Sequence, residues 1–152
     1  MENLERILGE HPFFEGLSKE HLQVLVGCAS NVRFGEGSLI FRAGGDANEF
    51  YLIREGKVAL ETLQAARRPV TVLELAEGDI LGWSWLVPPY HWKFDARVLQ
   101  ATRALKLNGK CLREKWEKDH DLGFELLRRF ATISEERISA VQRAFSMVTE
   151  AA

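Results

Sequence analysis

The run from Gly82 to Arg97 holds the residues best suited to chemistry: Gly82-Trp83-Ser84-Trp85-Leu86-Val87-Pro88-Pro89-Tyr90-His91-Trp92-Lys93-Phe94-Asp95-Ala96-Arg97. Trp83, Trp85 and Trp92 offer large apolar faces, and Ser84, His91 and Lys93 supply a few polar contacts among them. Small-molecule sites have this make-up, mostly apolar with few orienting polar groups. Pro88-Pro89 would stiffen the loop that carries the cluster, because each ring fixes φ. Metal and covalent chemistry have less to work with. His11, His21, His91 and His120 are scattered, whereas a metal site built on strands needs its imidazoles and carboxylates gathered. No Ser/His/Asp or Cys/His spacing marks a nucleophile. The chain is read as neither an enzyme nor a metal protein. Cys28 and Cys111 are far apart and unclustered, which argues against a disulfide framework or a CxxC metal site; they read as two reduced thiols of a cytoplasmic protein.

The elements that must position this run fall into three stretches of one domain, 1–152. Residues 1–30 read as helical. Asn3 to Gly9 places Leu4, Ile7 and Leu8 on one side, Pro12 breaks the pattern, and Phe13-Phe14 plug an apolar site. Ser18 is then an N-cap, followed by Leu22, Leu25, Val26 and Ala29 at helical spacing. From 31 to 107 short β-rich runs alternate with glycines: Ser38–Arg42, Phe50–Arg54, Lys57–Leu63, Val70–Leu75 and Phe94–Leu99. Many short strands separated by turn residues predict an antiparallel sandwich or barrel. Residues 108–149 are helical again. Asn108 caps a short helix with Leu112 and Trp116, and a longer one starts near Asp119 or Asp121 and runs to about Thr149. Along it Leu127, Ala131, Ser134, Ile138, Val141, Phe145 and Val148 form a heptad seam, flanked by Phe130 and Ala144. That seam predicts a homodimer through the long helix; an ordinary amphipathic helix closing its own core is the other reading.

Four glycine motifs stand in a telling order. They are Phe34-Gly35-Glu36-Gly37-Ser38-Leu39-Ile40-Phe41 with Gly44-Gly45-Asp46-Ala47, then Phe50-Tyr51-Leu52-Ile53, Gly56-Lys57-Val58, and Gly78-Asp79-Ile80-Leu81-Gly82. Over roughly Phe13 to Leu107 this succession resembles the effector domain of catabolite activator proteins and other cyclic-nucleotide-binding domains. The resemblance implies a mainly β fold with flanking helices: a double-stranded β-helix (jelly roll) with N-terminal helices and a long C-terminal helix. It also implies a regulatory, ligand-sensing role in signalling. The haem or iron–sulfur sensors also known in such families are not expected here, and the cysteine cluster that the iron–sulfur kind needs is missing.

In the family the phosphate-binding cassette begins at the last motif. Backbone N–H groups receive the cyclic phosphate there, an Arg neutralises it, and a Glu accepts from the ribose hydroxyl. Here Trp83 stands where the Glu is expected, and matching the downstream strand puts Trp92 at the Arg position; sliding the frame gives Lys93 or Phe94. Arg97 falls on a strand outside the cassette. A hydrogen bond to a charged partner contributes roughly 1.5–3 kcal/mol. Losing two costs about 3–6 kcal/mol, on the order of a hundredfold to ten-thousandfold in affinity. Cyclic AMP is therefore not expected to bind in the usual way. The candidate ligand contacts in this degenerate cassette are Gly82, Trp83, Ser84, Trp85, Trp92 and Lys93. Two readings stay open. The aromatics line a recast pocket for a less anionic, aromatic or apolar effector, with Lys93 or His91 as polar contact, or they fill it and leave a structural or dimerisation module.

Composition sets the remaining expectations. A net charge of −2 offers no electrostatic footprint for nucleic acid or anionic membrane. No reading helix of a helix-turn-helix follows the long helix, so specific DNA binding is not expected. No apolar run approaches the ~20 residues that span a bilayer, and the acidic start Met1-Glu2-Asn3-Leu4-Glu5 is unlike a signal peptide. No cofactor is called for, only a small-molecule effector of unspecified identity.

Overall fold

The computed structural model describes residues 3–63 and 68–151, with Leu63 and the residues from Ala144 onward described as backbone only. Two short helices open the chain, α1 (Leu4–Glu10) and α2 (Lys19–Val26), separated by a 3-10 turn at Pro12–Phe14. Asn3 caps α1 and Ser18 caps α2, each accepting an N–H from the first turn through its side chain. Six strands follow: β1 (Ala29–Phe34), β2 (Leu39–Phe41), β3 (Glu49–Leu63), β4 (Pro69–Ala76), β5 (Ile80–Leu81) and β6 (Asp95–Asn108). The chain ends in α3 (Gly109–Lys118), capped by Asn108, and α4 (His120–Ala151). Asp119 accepts from the Leu122 N–H and so caps α4. Among the described residues no helix is long and apolar enough to cross a membrane.

All pairings are antiparallel. The sheet order is β1-β6-β3-β4, with β2 also on β6 and β5 on β3. This is the mainly β roll with flanking helices and a long last helix that the sequence predicts. Two of the expected strands, Phe50–Arg54 and Lys57–Leu63, are one strand whose register against β6 shifts between Ile53 and Val58. The strand expected at Phe94–Leu99 continues to Asn108, because both β1 and the first half of β3 pair with its second half.

The long strands are apolar on both faces, and period two divides their side chains between two cores. Phe50 and Leu52 of β3, with Leu105 and Leu107 of β6, join a core with the helices. Tyr51, Ile53, Val58 and Leu60, with Ala96 and Ala104, fill the inside of the roll. The helical core also takes in Phe13, Phe14, Leu122, Leu126 and Phe130. Phe130 thus packs on its own domain, as its place beside the seam suggests.

The cysteines correct the expectation of two free thiols: Cys28 and Cys111 form a disulfide with their Cα atoms 5.9 Å apart. Spacing gave no signal because the two cysteines, at a sequence separation of 83, are brought together only by the sheet. Pairing of Ala29 with Leu107 brings the start of β1 to the end of β6. Asn108 then donates its N–H to the Cys28 carbonyl, and its side chain accepts the Cys111 N–H. A link closing so long a loop restrains the unfolded chain by roughly 4–5 kcal/mol in the chain-entropy model. Reducing it, or replacing both cysteines as Cys28→Ser and Cys111→Ser, should lower stability in urea by roughly 2–4 kcal/mol without changing the far-ultraviolet spectrum. Identical denaturation curves with and without reductant would refute a stabilising bond.

Candidate ligand-binding site

The cassette turn is shaped by the side chains around it. β5 leads directly into Gly82, which has φ +92°, and a Cβ there would lie 2.8 Å from the Trp92 ring. Only glycine suits both the left-handed backbone and the indole against it. Trp83 then leads into a 3-10 turn at Ser84–Leu86. Trp92 is buried and stacks on Phe41 with ring centres 3.8 Å apart. The segment around it is sewn to the loop before β3: Gly44 N–H donates to the Trp92 carbonyl, Trp92 N–H to that of Gly45, and Ala47 N–H to that of Tyr90.

These residues frame a cavity of about 460 Å³ between the roll and α4. Phe41, Leu60 and Leu73 line it from the strands, Gly82, Trp83 and Ser84 from the cassette turn, and Ser134, Arg137, Ile138 and Val141 from α4. Trp92, Lys93 and Phe94 also reach it. Of the sequence candidates, Gly82, Trp83, Ser84, Trp92 and Lys93 are therefore brought together. Trp85 is not. Its ring is fully buried behind the turn, stacked between Phe50 at 5.0 Å and Trp116 at 5.4 Å, with Phe130 edge-on. The Arg113 guanidinium donates to the Trp85 carbonyl and locks the turn onto α3. His91, weighed as a polar contact, instead faces Asp46 on the surface at 3.4 Å. Arg97 lies on β6 and pairs with Glu61 at 2.8 Å, outside the cavity lining.

One charged lining residue escaped the sequence reading. Arg137 sits beside the seam on α4, where a charged residue at a heptad flank reads as solvated surface. In the structure its guanidinium covers the Trp83 ring at 4.6 Å and donates to the Ile80 carbonyl. Burial pushes its pKa down to about 10, while the charges of Asp79 and Glu136 act the other way. It stays a cation at neutral pH. Its position next to Ser134 and Ile138, on the side of the helix that faces the roll, was the available signal.

Among the described residues much of the seam is uncovered. Leu127 is 51% exposed, Ile138 60% and Val141 40%. Ala131 is exposed and Ser134 half-buried, while the side chains of Phe145 and Val148 lie outside the described residues.

A model of the cyclic nucleotide-binding domain matches residues 31–119, more than half of the chain. Among solved structures, a protein of Geobacter metallireducens GS-15 named for cyclic-nucleotide binding is 30% identical, covers 91% of this chain and 99% of its own, and superposes with a TM-score of 0.79. The sensor domain of the transcriptional regulator DNR from Pseudomonas aeruginosa is 21% identical over 89% of this chain and 91% of its own, with a TM-score of 0.71. A regulatory subunit of a cAMP-independent protein kinase A from Trypanosoma cruzi, bound to guanosine, is 22% identical over 93% of this chain and 49% of its own, also at 0.71. No curated protein matches.

Two of the cassette indoles, Trp85 and Trp83, should separate by stability. Trp85→Ala removes a fully packed ring and should cost about 3–5 kcal/mol in urea denaturation. Trp83→Ala, half-exposed at the cavity, should cost under about 1.5 kcal/mol, since little area leaves the core. Equal losses would contradict this division.

Proposed function

The chain belongs to the family of cyclic nucleotide-binding domains, and we propose that within it this domain senses a mostly apolar ligand and does not hold cyclic AMP in the usual way. The observation that carries this reading is a cavity of about 460 Å³ beside Trp83 and Trp92. That is the size of a small-molecule site. The two indoles stand where the resemblance expects the ribose-binding Glu and the phosphate-binding Arg. Trp92 is stacked on Phe41 and so joins the cavity wall, with space left in front of it. The Trypanosoma cruzi relative supports the idea that this fold can take a ligand without a phosphate, since guanosine has none.

A second reading, a structural module with a self-filled pocket, draws support from the burial of Trp85 and Trp92. Titration decides between this domain and an ordinary family member. Cyclic AMP and cyclic GMP should bind no tighter than about the millimolar range, by the loss of two charged hydrogen bonds. Neither should quench indole fluorescence saturably or raise the melting temperature. Micromolar binding of either by calorimetry would overturn the reading.

We also propose a two-fold dimer through α4, supported by the exposed apolar seam. Leu127 belongs to the seam but not to the cavity lining, so Leu127→Asp tests assembly alone. It should bury an unpaired charge in the dimer and yield monomer by sedimentation. A wild-type chain already monomeric at high micromolar concentration would end this proposal.

A further inference from the structure

We infer that Arg137 is the anion-binding residue of the cavity, and that the ligand is a small monoanion on an apolar body, an aryl or aliphatic carboxylate being the simplest kind. The inference rests on the reading of the cavity as an open ligand site. Arg137 comes from α4, on the wall facing the roll, and lines the cavity. A guanidinium has five N–H donors in a planar fork. The partners of this one are neutral: the Ile80 carbonyl and the face of Trp83. Among the described residues no carboxylate forms an ion pair with it. The charges of Asp79 and Glu136 offset part of the cost of burying this cation, and an anion arriving at the remaining donors would offset more. A carboxylate fits the fork with two parallel hydrogen bonds.

The rest of the lining sets the body of the ligand. Phe41, Leu60, Leu73, Phe94 and Ile138 offer only apolar contact. Lys93, the other cation at the cavity, is exposed, so water and salt weaken its pull on a bound anion. One buried positive charge matches one negative charge, and a largely apolar wall matches a body with few further polar atoms.

A pair of fluorescent probes with the same body tests this: 8-anilinonaphthalene-1-sulfonate, which carries one negative charge, and N-phenyl-1-naphthylamine, which carries none. Both should bind the wild-type chain saturably. Arg137→Met should weaken the sulfonate about tenfold or more and leave the neutral probe within about twofold. Arg137→Gln, which removes the charge but offers an amide N–H to the Ile80 carbonyl, should do the same. It decides the matter if Arg137→Met fails to fold, as judged by near-ultraviolet circular dichroism. Affinities for the two probes that fall together, or that do not move, would overturn the role of Arg137 while leaving the open cavity standing. Failure of both probes to bind the wild-type chain would remove the open cavity itself.

Discussion

The burial of Trp85 is the constraint on which the arrangement of the site depends. Its ring lies in one aromatic stack with Phe50 of β3 and Trp116 of α3, closed from the side by Phe130 of α4. Strand, cassette turn and both C-terminal helices therefore meet at a single side chain. The first residue of α3 is a glycine against the same ring: a Cβ at Gly109 would lie 2.8 Å from it. Close-packed interiors transmit displacement, because nothing in them can yield without a neighbour moving. With Trp85 held, Trp83 and Ser84 are aimed to one side of the turn, and the first turns of α4 are set on the other. The later turns of α4 then arrive over the roll and close the cavity.

Within that frame, two cations at one cavity are held in different surroundings. Lys93 stands in water at the rim, where a charge is cheap and weak. Arg137 is taken out of water against an indole and a carbonyl, where the same unit of charge interacts more strongly with anything that reaches it. The helix that carries Arg137 also carries Ser134, Ile138 and Val141 along the cavity wall and the exposed seam. The wall of the site and the surface available for assembly are thus faces of one element.

What the sequence made legible follows from how local each signal is. Caps depend on one side chain and a nearby N–H, so Ser18 and Asn108 could be read from neighbours in the chain, and both helices begin there; Asn3, read as the first residue of the opening helix, is its cap. The glycine motifs fix turns and gave the order of the roll. Signals that depend on distant partners were hidden. β3 looked like two strands because its break in alternation at Glu55-Gly56 is a shift of register against β6 and not an end. Cys28 and Cys111 met through strand pairing that no spacing encodes. Trp83, Trp85 and Trp92 look alike in sequence, yet one faces the cavity, one lies behind the turn and one forms the wall. Arg137 had the look of a surface charge until the roll was placed beside it.

The sheet pattern has a temporal side. β6 is the last strand in the chain, and β1, β2 and β3 all pair with it. Until it has been synthesised, β1 and β2 have no ladder partner, and β3 has only β4 and β5. Closure of the roll therefore waits for contacts far apart in sequence, which slows folding relative to a domain of local contacts. A ribosome extending this chain would hold an open sheet with unpaired edges for most of its length, and such edges are the places where nascent chains find the wrong neighbour.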